Sequence, residues 1–295
     1  MSNTAYLFPG QASQFPGMGK NLYEESQNAQ ELFELANKVL GFRISDIMFN
    51  GVEDELKATN ITQPAVFIHS VISFLCRKNM ASPDAVAGHS LGEFSALVAA
   101  EVLDFESALQ LVALRADAMH NACILNPGSM AAIVGLEDQQ IESICASVTD
   151  EVVVPANYNC PGQLVISGSL NGLKKAEEKM LAAGAKRFIL LQVGGAFHSP
   201  LMAPAQEKLN EAINQTCFQT AKCPVFQNFD ARPHLNADEI KDLLSKQLSS
   251  PVRWTEIVQN MIHSGIEEFY EVGGNGTVLS GFMKRIDRSK TITSI

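Results

Sequence analysis

Gly88-His89-Ser90-Leu91-Gly92 sets a serine between two glycines at the spacing G-x-S-x-G. In a strand–turn–helix setting, that spacing exposes a hydroxyl for attack on an acyl carbon. The setting is present: Asp84–Gly88 reads as a short apolar strand and Leu91–Val102 as a helix. The glycines leave room for neighbouring backbone, and the helix start turns free N–H groups toward a developing oxyanion. Gly and Ser are common, so the pentapeptide by itself is also consistent with an ordinary turn whose serine caps a helix.

A serine nucleophile needs a base, and the chain holds six histidines. His69 falls in an apolar segment and reads as a core residue. His89 adjoins the serine but points elsewhere on a turn. His120 ends a helix, and His234 and His263 lie in polar surroundings. His198, in Gly194-Gly-Ala-Phe-His-Ser-Pro200, sits in a loop between a strand and a helix. The chain order Ser-then-His is that of sheet-based hydrolases, which makes it the candidate base. Arg115 lies in an apolar helix, Leu111-Val-Ala-Leu-Arg-Ala-Asp-Ala-Met119. Charged groups are rarely buried unpaired. It therefore reads either as a salt bridge to Asp117 or Asp104, or as a guanidinium that grips a substrate carboxylate through two parallel hydrogen bonds. Two glycine-rich segments, 9–20 and 273–276, fail the spacings of phosphate-binding and dinucleotide loops. The first could offer a backbone N–H to an oxyanion.

These residues need a scaffold. Ala5–Phe8 predicts a buried strand and Glu24–Leu40 an amphipathic helix; 64–75 and Phe105–Met119 predict further helices. From Met130 the rhythm changes. Strands at 130–134, 152–158, 163–167 and 187–193, with helices at 138–148 and 170–183, spell β-α-β-β-α-β, the ferredoxin-like order. Helices at 201–213, 236–248 and 254–264 and strands at 268–272 and 291–294 complete the chain. The expected fold class is α/β: a hydrolase-like core with a mostly parallel sheet, formed by 1–127 and 194–295, and an inserted ferredoxin-like subdomain at 128–193.

Composition narrows the function. The 295 residues are 46% hydrophobic and 18% charged, with a net charge of −10. Such acidity argues against nucleic acid, whose binding needs a basic face. No apolar run reaches the ~18–20 residues of a membrane span. The opening Met-Ser-Asn-Thr-Ala lacks a basic stretch followed by an apolar one, so no secretion signal is expected. The six cysteines form neither Cys-x-x-Cys nor a zinc-type spacing and read as free thiols of a cytoplasmic protein.

Taken together, the segments resemble the malonyl-CoA:acyl carrier protein transacylase family. The motifs in register are Phe8-Pro-Gly-Gln-Ala-Ser-Gln14, Thr62-Gln-Pro-Ala65, Gly88-His-Ser-Leu-Gly-Glu93, Arg115, Ser129-Met-Ala-Ala132, Asn157-Tyr-Asn-Cys-Pro-Gly-Gln163, Gly195-Ala-Phe-His-Ser199, Gln247-Leu-Ser-Ser-Pro-Val-Arg-Trp254 and Tyr270-Glu-Val-Gly273. The chain departs from the family's Gly-Pro-Gly at Gly273-Gly-Asn-Gly276 and from its Ser-Pro at Cys160-Pro161.

The resemblance implies roles residue by residue. Ser90 is the nucleophile that carries malonyl as an ester, and His198 the base and then the acid. The Gln11 and Leu91 N–H groups form the oxyanion hole. Arg115 holds the malonyl carboxylate, and the Gln247 backbone carbonyl orients His198. If only that carbonyl matters, the Gln247 side chain should be replaceable by Asn or Asp. Phe197, before the histidine, restricts branched acyl chains. The implied substrate is malonyl-CoA and the partner acyl carrier protein, in fatty acid biosynthesis. Coenzyme A is a product, with no metal or bound cofactor, and a monomer is the expected state. Two other readings stand beside it: a serine thioesterase, which would admit water and not need Arg115, and a non-catalytic protein, which would not need Ser90 or His198. Because the proposed ligands are anionic, local positive charge should flank the cleft, with Lys186, Arg187, Lys284, Arg285, Arg288 and Lys290 as candidates.

Overall fold

The computed structural model describes residues 3–77 and 81–295. The expectation of no secretion signal bears in part on positions 1 and 2, outside the described residues. The chain begins with β1 (Asn3–Phe8), a strand buried from Thr4 onward. The helix expected over 24–40 is found as α2 (Gln27–Leu40), and a separate short helix, α1 (Lys20–Glu25), precedes it. Ser26 separates them: its extended backbone lets its hydroxyl accept from Ala29 N–H, capping α2. Gly41, at φ 76°, ends α2 in the left-handed conformation glycine allows.

Next come α3 (Ile44–Asn50), α4 (Thr59–Leu75), β2 (Ala85–Gly88), α5 (Gly92–Ala99) and α6 (Phe105–Leu125). The small antiparallel unit contains β3 (Gly128–Val134), α7 (Asp138–Ala146), β4 (Val153–Cys160), β5 (Gln163–Ser169), α8 (Leu170–Ala182) and β6 (Arg187–Leu190). The chain closes with α9 (Ala203–Gln215), β7 (Val225–Phe226), β8 (Pro233–His234), α10 (Ala237–Lys246), α11 (Trp254–His263), β9 (Ile266–Glu271), α12 (Val278–Ile286) and β10 (Ile292–Ser294).

The larger sheet has the order β10-β9-β1-β2-β7-β8, parallel except for the β7–β8 pair. Its centre is covered on both faces, as parallel sheets require. Along β1, Tyr6 and Phe8 join one core with α4, α5 and α6, while Ala5 and Leu7 join another with Trp254, Ile257 and Phe269. The smaller sheet has the order β4-β5-β3-β6, all antiparallel. Strand β3 alternates too: Ala131 and Ile133 pack toward α7 and α8, and Met130 and Ala132 pack into the larger core. The α/β class with two sheets thus matches the expected fold class. Backbone bonds Tyr158 N–H to Val252 O (2.9 Å) and Val252 N–H to Ala156 O (2.8 Å) tie β4 to the segment before α11.

Helices α1, α3 and α12 and the two-residue strands β7 and β8 were not anticipated from the sequence. Strand β7 pairs with β2 through Val86↔Val225 and Ala87↔Phe226, and its end delivers residues 227 and 228 to the elbow.

The elbow glycines answer to packing. A Cβ on Gly88 would lie 1.9 Å from the Gly92 backbone, and one on Gly92 would lie 2.0 Å from Phe8 O. Backbone cannot yield as a side-chain tip does. Gly92→Ala is therefore expected to destabilise the fold by at least ~3 kcal/mol, the upper end of ordinary overpacking. Denaturant unfolding checks this, and wild-type stability would refute the close approach.

Candidate active site

At the end of β2 the chain turns sharply, with Ser90 at φ 51° in the left-handed region. Its Oγ lies 2.8 Å from His198 Nε2 and 3.0 Å from Arg115 Nη2. Residues 108 positions apart in sequence thus meet at one hydroxyl. His198 also has a positive φ, 56°. Its Nδ1 faces two carbonyl oxygens, Ser250 O at 3.0 Å and Gln247 O at 3.2 Å. Carbonyls only accept, so Nδ1 carries the proton and Nε2 offers its lone pair to Ser90 Oγ–H.

Burial sets the charge state of the imidazole. His198 is 3% exposed. Desolvation, and then the nearby Arg115 guanidinium, push its pKa down to about 3. The ring is neutral at physiological pH and able to accept a proton. Protonation would remove that ability, so kcat/KM for acylation should stay level as pH falls through the ordinary histidine value of 6.5, with its acid limb lower. A single-turnover pH series checks this, and a limb at or above 6.5 would contradict the burial argument.

Arg115 is fully buried and has no ion pair among the described residues, so neither Asp117 nor Asp104 neutralises it. Instead Nη1 donates to Gln63 Oε1 at 2.5 Å, Nη2 also reaches Gln247 Oε1 at 3.4 Å, and the guanidinium carbon lies 5.8 Å from the Phe94 ring centre. Burial lowers its pKa to about 10, which leaves it charged, and Glu93 opposes that shift. A buried cation held by neutral amides is poised to pair with an anion.

Gln11 follows Gly10, where a Cβ would lie 2.6 Å from His89 O, so this loop runs against the elbow. Leu91 leads into α5. No hydrogen bond from the Gln11 or Leu91 N–H to another described residue is found.

The structure thus brings Ser90, His198, Arg115 and Gln247 together, with Gln11 beside them. Gln247 engages through its side chain as well as its carbonyl. The side-chain Nε2 donates to Ser90 O at 2.9 Å and to Glu93 Oε2 at 3.1 Å. Asn or Asp is one methylene shorter and cannot span the same contacts.

Gln63 and Glu93 lie in the motifs but were given no role there, and Asn228 lies in none of them. Glu93 carried a signal: a carboxylate just inside an apolar helix start. Asn228 carried none, because β7 is too short to show a period. The other histidines lie outside the cluster. His69 Nδ1 accepts from Gly274 N–H at 3.0 Å, His89 Nε2 lies 2.8 Å from Asn159 Oδ1, and His234 pairs with Asp230 and Glu239.

A cavity of about 820 Å³ opens beside Phe15, Lys20, His69, Arg77 and Gly274, beyond the ends of β1, β9 and β10, and none of the candidate site residues lines it. The convergence of nucleophile, base and cation, rather than cavity size, marks the site. Among the described residues, no group of three or more His, Cys, Asp and Glu could hold a metal ion.

Residues 5–292 match the acyl transferase domain, so the class that fold and elbow define is an acyltransferase. The chain is 43% identical over 296 residues to the malonyl CoA-acyl carrier protein transacylase of Bacillus subtilis, covering 99% of this chain and 93% of that one. The structure of an acyl carrier protein S-malonyltransferase from Vibrio cholerae superposes with a TM-score of 0.95 at 39% identity, covering 100% of this chain and 97% of that one. A malonyl-transacylase in complex with a type II PKS acyl-carrier protein superposes with a TM-score of 0.94 at 38% identity, covering 100% and 96%. The chain belongs to the malonyl CoA-acyl carrier protein transacylase family.

Proposed function

We propose that the enzyme transfers malonyl from malonyl-CoA to the phosphopantetheine thiol of acyl carrier protein through an ester on Ser90, supplying fatty acid biosynthesis. The observation that carries this reading is the single hydroxyl set between a neutral imidazole and a buried, unpaired guanidinium.

The malonyl carboxylate enters against Arg115. Ser90 Oγ attacks the thioester carbon while its proton passes to His198 Nε2. A positioned base of this kind contributes ~10²–10⁴-fold. The negative oxygen of the tetrahedral intermediate lies toward the Gln11 and Leu91 N–H groups, each such donor being worth about 10²–10³-fold. The intermediate collapses, the C–S bond breaks, and coenzyme A leaves with the proton from His198. The carrier thiol then loses its proton to His198 and attacks the ester. Ser90 Oγ departs and regains its proton.

Carboxylate binding aids the first step electrostatically. The guanidinium is the second contributor holding the His198 pKa down, so neutralising it makes the imidazole a stronger base. A thioesterase on the same elbow has no use for a buried cation beside its nucleophile.

The experiment is intact mass of the enzyme after malonyl-CoA, and then after adding carrier protein. One malonyl increment that appears and then moves to the carrier supports transfer. Steady release of free malonate without acylated carrier supports the thioesterase.

We divide the chain into a catalytic core, 1–127 with 194–295, and a small subdomain, 128–193. All six cysteines are free thiols, which suits the reducing cytoplasm, where we place the enzyme. No helix among the described residues is long and apolar enough to cross a membrane.

For carrier docking, α12 lies beside the elbow. Its Phe282 ring is 6.0 Å from the His89 ring, and Arg285 Nη2 donates to Pro161 O at 2.8 Å. Replacing Lys284 and Arg288 with Glu should raise KM for the carrier and flatten its salt dependence, with acylation by malonyl-CoA unchanged. Steady-state kinetics at several salt concentrations check this, and an unchanged carrier KM would remove α12 and the turn after it from the docking face.

A further inference from the structure

The transfer steps use Ser90 Oγ, yet the backbone on either side of it is gripped just as closely. Asn228 Oδ1 accepts from Ser90 N–H at 2.7 Å, and Asn228 Nδ2 donates to Gly88 O at 2.6 Å. Gln247 Nε2 donates to Ser90 O at 2.9 Å. The amide and carbonyl of the nucleophile are therefore both held by side chains from loops more than 130 residues away in sequence. Those loops are in turn fastened to one group. The Glu93 carboxylate accepts from Asn228 N–H at 2.9 Å, Gln227 Nε2 at 3.1 Å and Gln247 Nε2 at 3.1 Å.

Glu93 is 1% exposed and makes no ion pair among the described residues. A buried carboxylate without a cation at contact distance is costly to keep. Burial pushes the Glu93 carboxyl above its usual range, and the Asn228, Gln247 and Gln227 donors and the Arg115 charge oppose that shift. As a carboxylate it only accepts, so it can fasten three donors from two separate loops at once; an amide in its place would turn one donor onto another. The strained Ser90 backbone needs such outside support, because a non-glycine residue at positive φ persists only where its surroundings hold it.

We propose that Glu93, Asn228 and the Gln247 side chain are positioning residues that hold the elbow so that Ser90 Oγ meets both His198 Nε2 and Arg115 Nη2. This rests on the reading of Ser90 as nucleophile. None of the three is asked to exchange a proton with substrate. Their effect is on where Oγ lies, and it should therefore appear with any electrophile.

The test uses Glu93→Gln, which keeps shape and volume, and Asn228→Ala, each on the full chain with a thermal melt. Three quantities are read: kcat, KM for malonyl-CoA, and the rate at which phenylmethanesulfonyl fluoride sulfonylates Ser90. The last forms an O–S bond, expels fluoride with the Ser90 proton, and asks nothing of a carboxylate clamp. Both variants should lose about 10²-fold in kcat, the scale of a small misplacement at a reacting centre. KM should stay within a few-fold, and sulfonylation should fall in parallel. If Asn228→Ala does not fold, Glu93→Gln carries the test. Folded variants sulfonylated at the wild-type rate, or a loss lying wholly in KM, overturn the proposal. A wild-type enzyme that is neither malonylated nor sulfonylated at Ser90 instead overturns the nucleophile assignment beneath it.

Discussion

Ser90→Ala should end formation of the malonyl ester, with no mass increment after malonyl-CoA and transfer to carrier lowered by about 10⁶-fold, the scale seen when a serine nucleophile is removed from a cooperating unit. The substitution is clean because the elbow is held through the Ser90 backbone. Asn228 accepts from its N–H and Gln247 donates to its carbonyl, and both contacts survive loss of the hydroxyl. Alanine meets the same positive φ as serine, so no new backbone strain is added. His198 keeps its two carbonyl partners and Arg115 keeps Gln63. The thermal midpoint should accordingly stay close to wild type while the ester disappears. An ester of unchanged yield would place the nucleophile elsewhere. Loss of the ester together with loss of the fold would point to a structural hydroxyl instead.

What the sequence disclosed follows from how local each signal was. The elbow was legible because its determinants lie within 84–99: a short apolar strand, two glycines at fixed spacing and a helix. Arg115 stood out as a charge in an apolar helix, although the sequence left its partner open and the structure supplies Gln63, Ser90 and Gln247 in place of an aspartate. The β-α-β-β-α-β order was legible because most of its elements are long enough to show a period, although β6 ends at Leu190 rather than at 193. Helix α12 was not, because its start is capped from a distance: the buried Glu271 carboxylate of β9 accepts from Leu279 and Ser280 N–H at 3.1 and 3.0 Å. Asn228 was hidden for the same kind of reason. It follows a two-residue strand, and its partners lie 138 and 140 residues away. Gln247 was read for its carbonyl, but which end of a glutamine engages is fixed only by the fold.

Arg115→Ala should separate substrates rather than abolish chemistry. In the resting site the guanidinium gives one hydrogen bond to Gln63, shares Nη2 between Ser90 Oγ and Gln247, and leaves Nε without a partner among the described residues. A malonyl carboxylate would pair its charge with the guanidinium through hydrogen bonds each worth about 1.5–3 kcal/mol. Losing two such bonds predicts a fall in kcat/KM for malonyl-CoA of at least ~10²-fold, since 1.4 kcal/mol is a factor of ten. Acetyl-CoA has no carboxylate to lose. It should gain on malonyl-CoA for a second reason as well: removing the cation lifts one of the two main depressions of the His198 pKa. The base then strengthens, and the acid limb of acetyl transfer moves up toward 6.5, the ordinary histidine value. Two signs are thus fixed in advance: the malonyl-to-acetyl ratio falls, and the pH profile moves to higher pH. Rates with both thioesters across a pH series read each independently. Equal losses for the two substrates would mean that Arg115 supports the elbow through Ser90 and Gln63 rather than gripping the acyl group. An unmoved pH limb would mean that desolvation alone sets the charge state of His198.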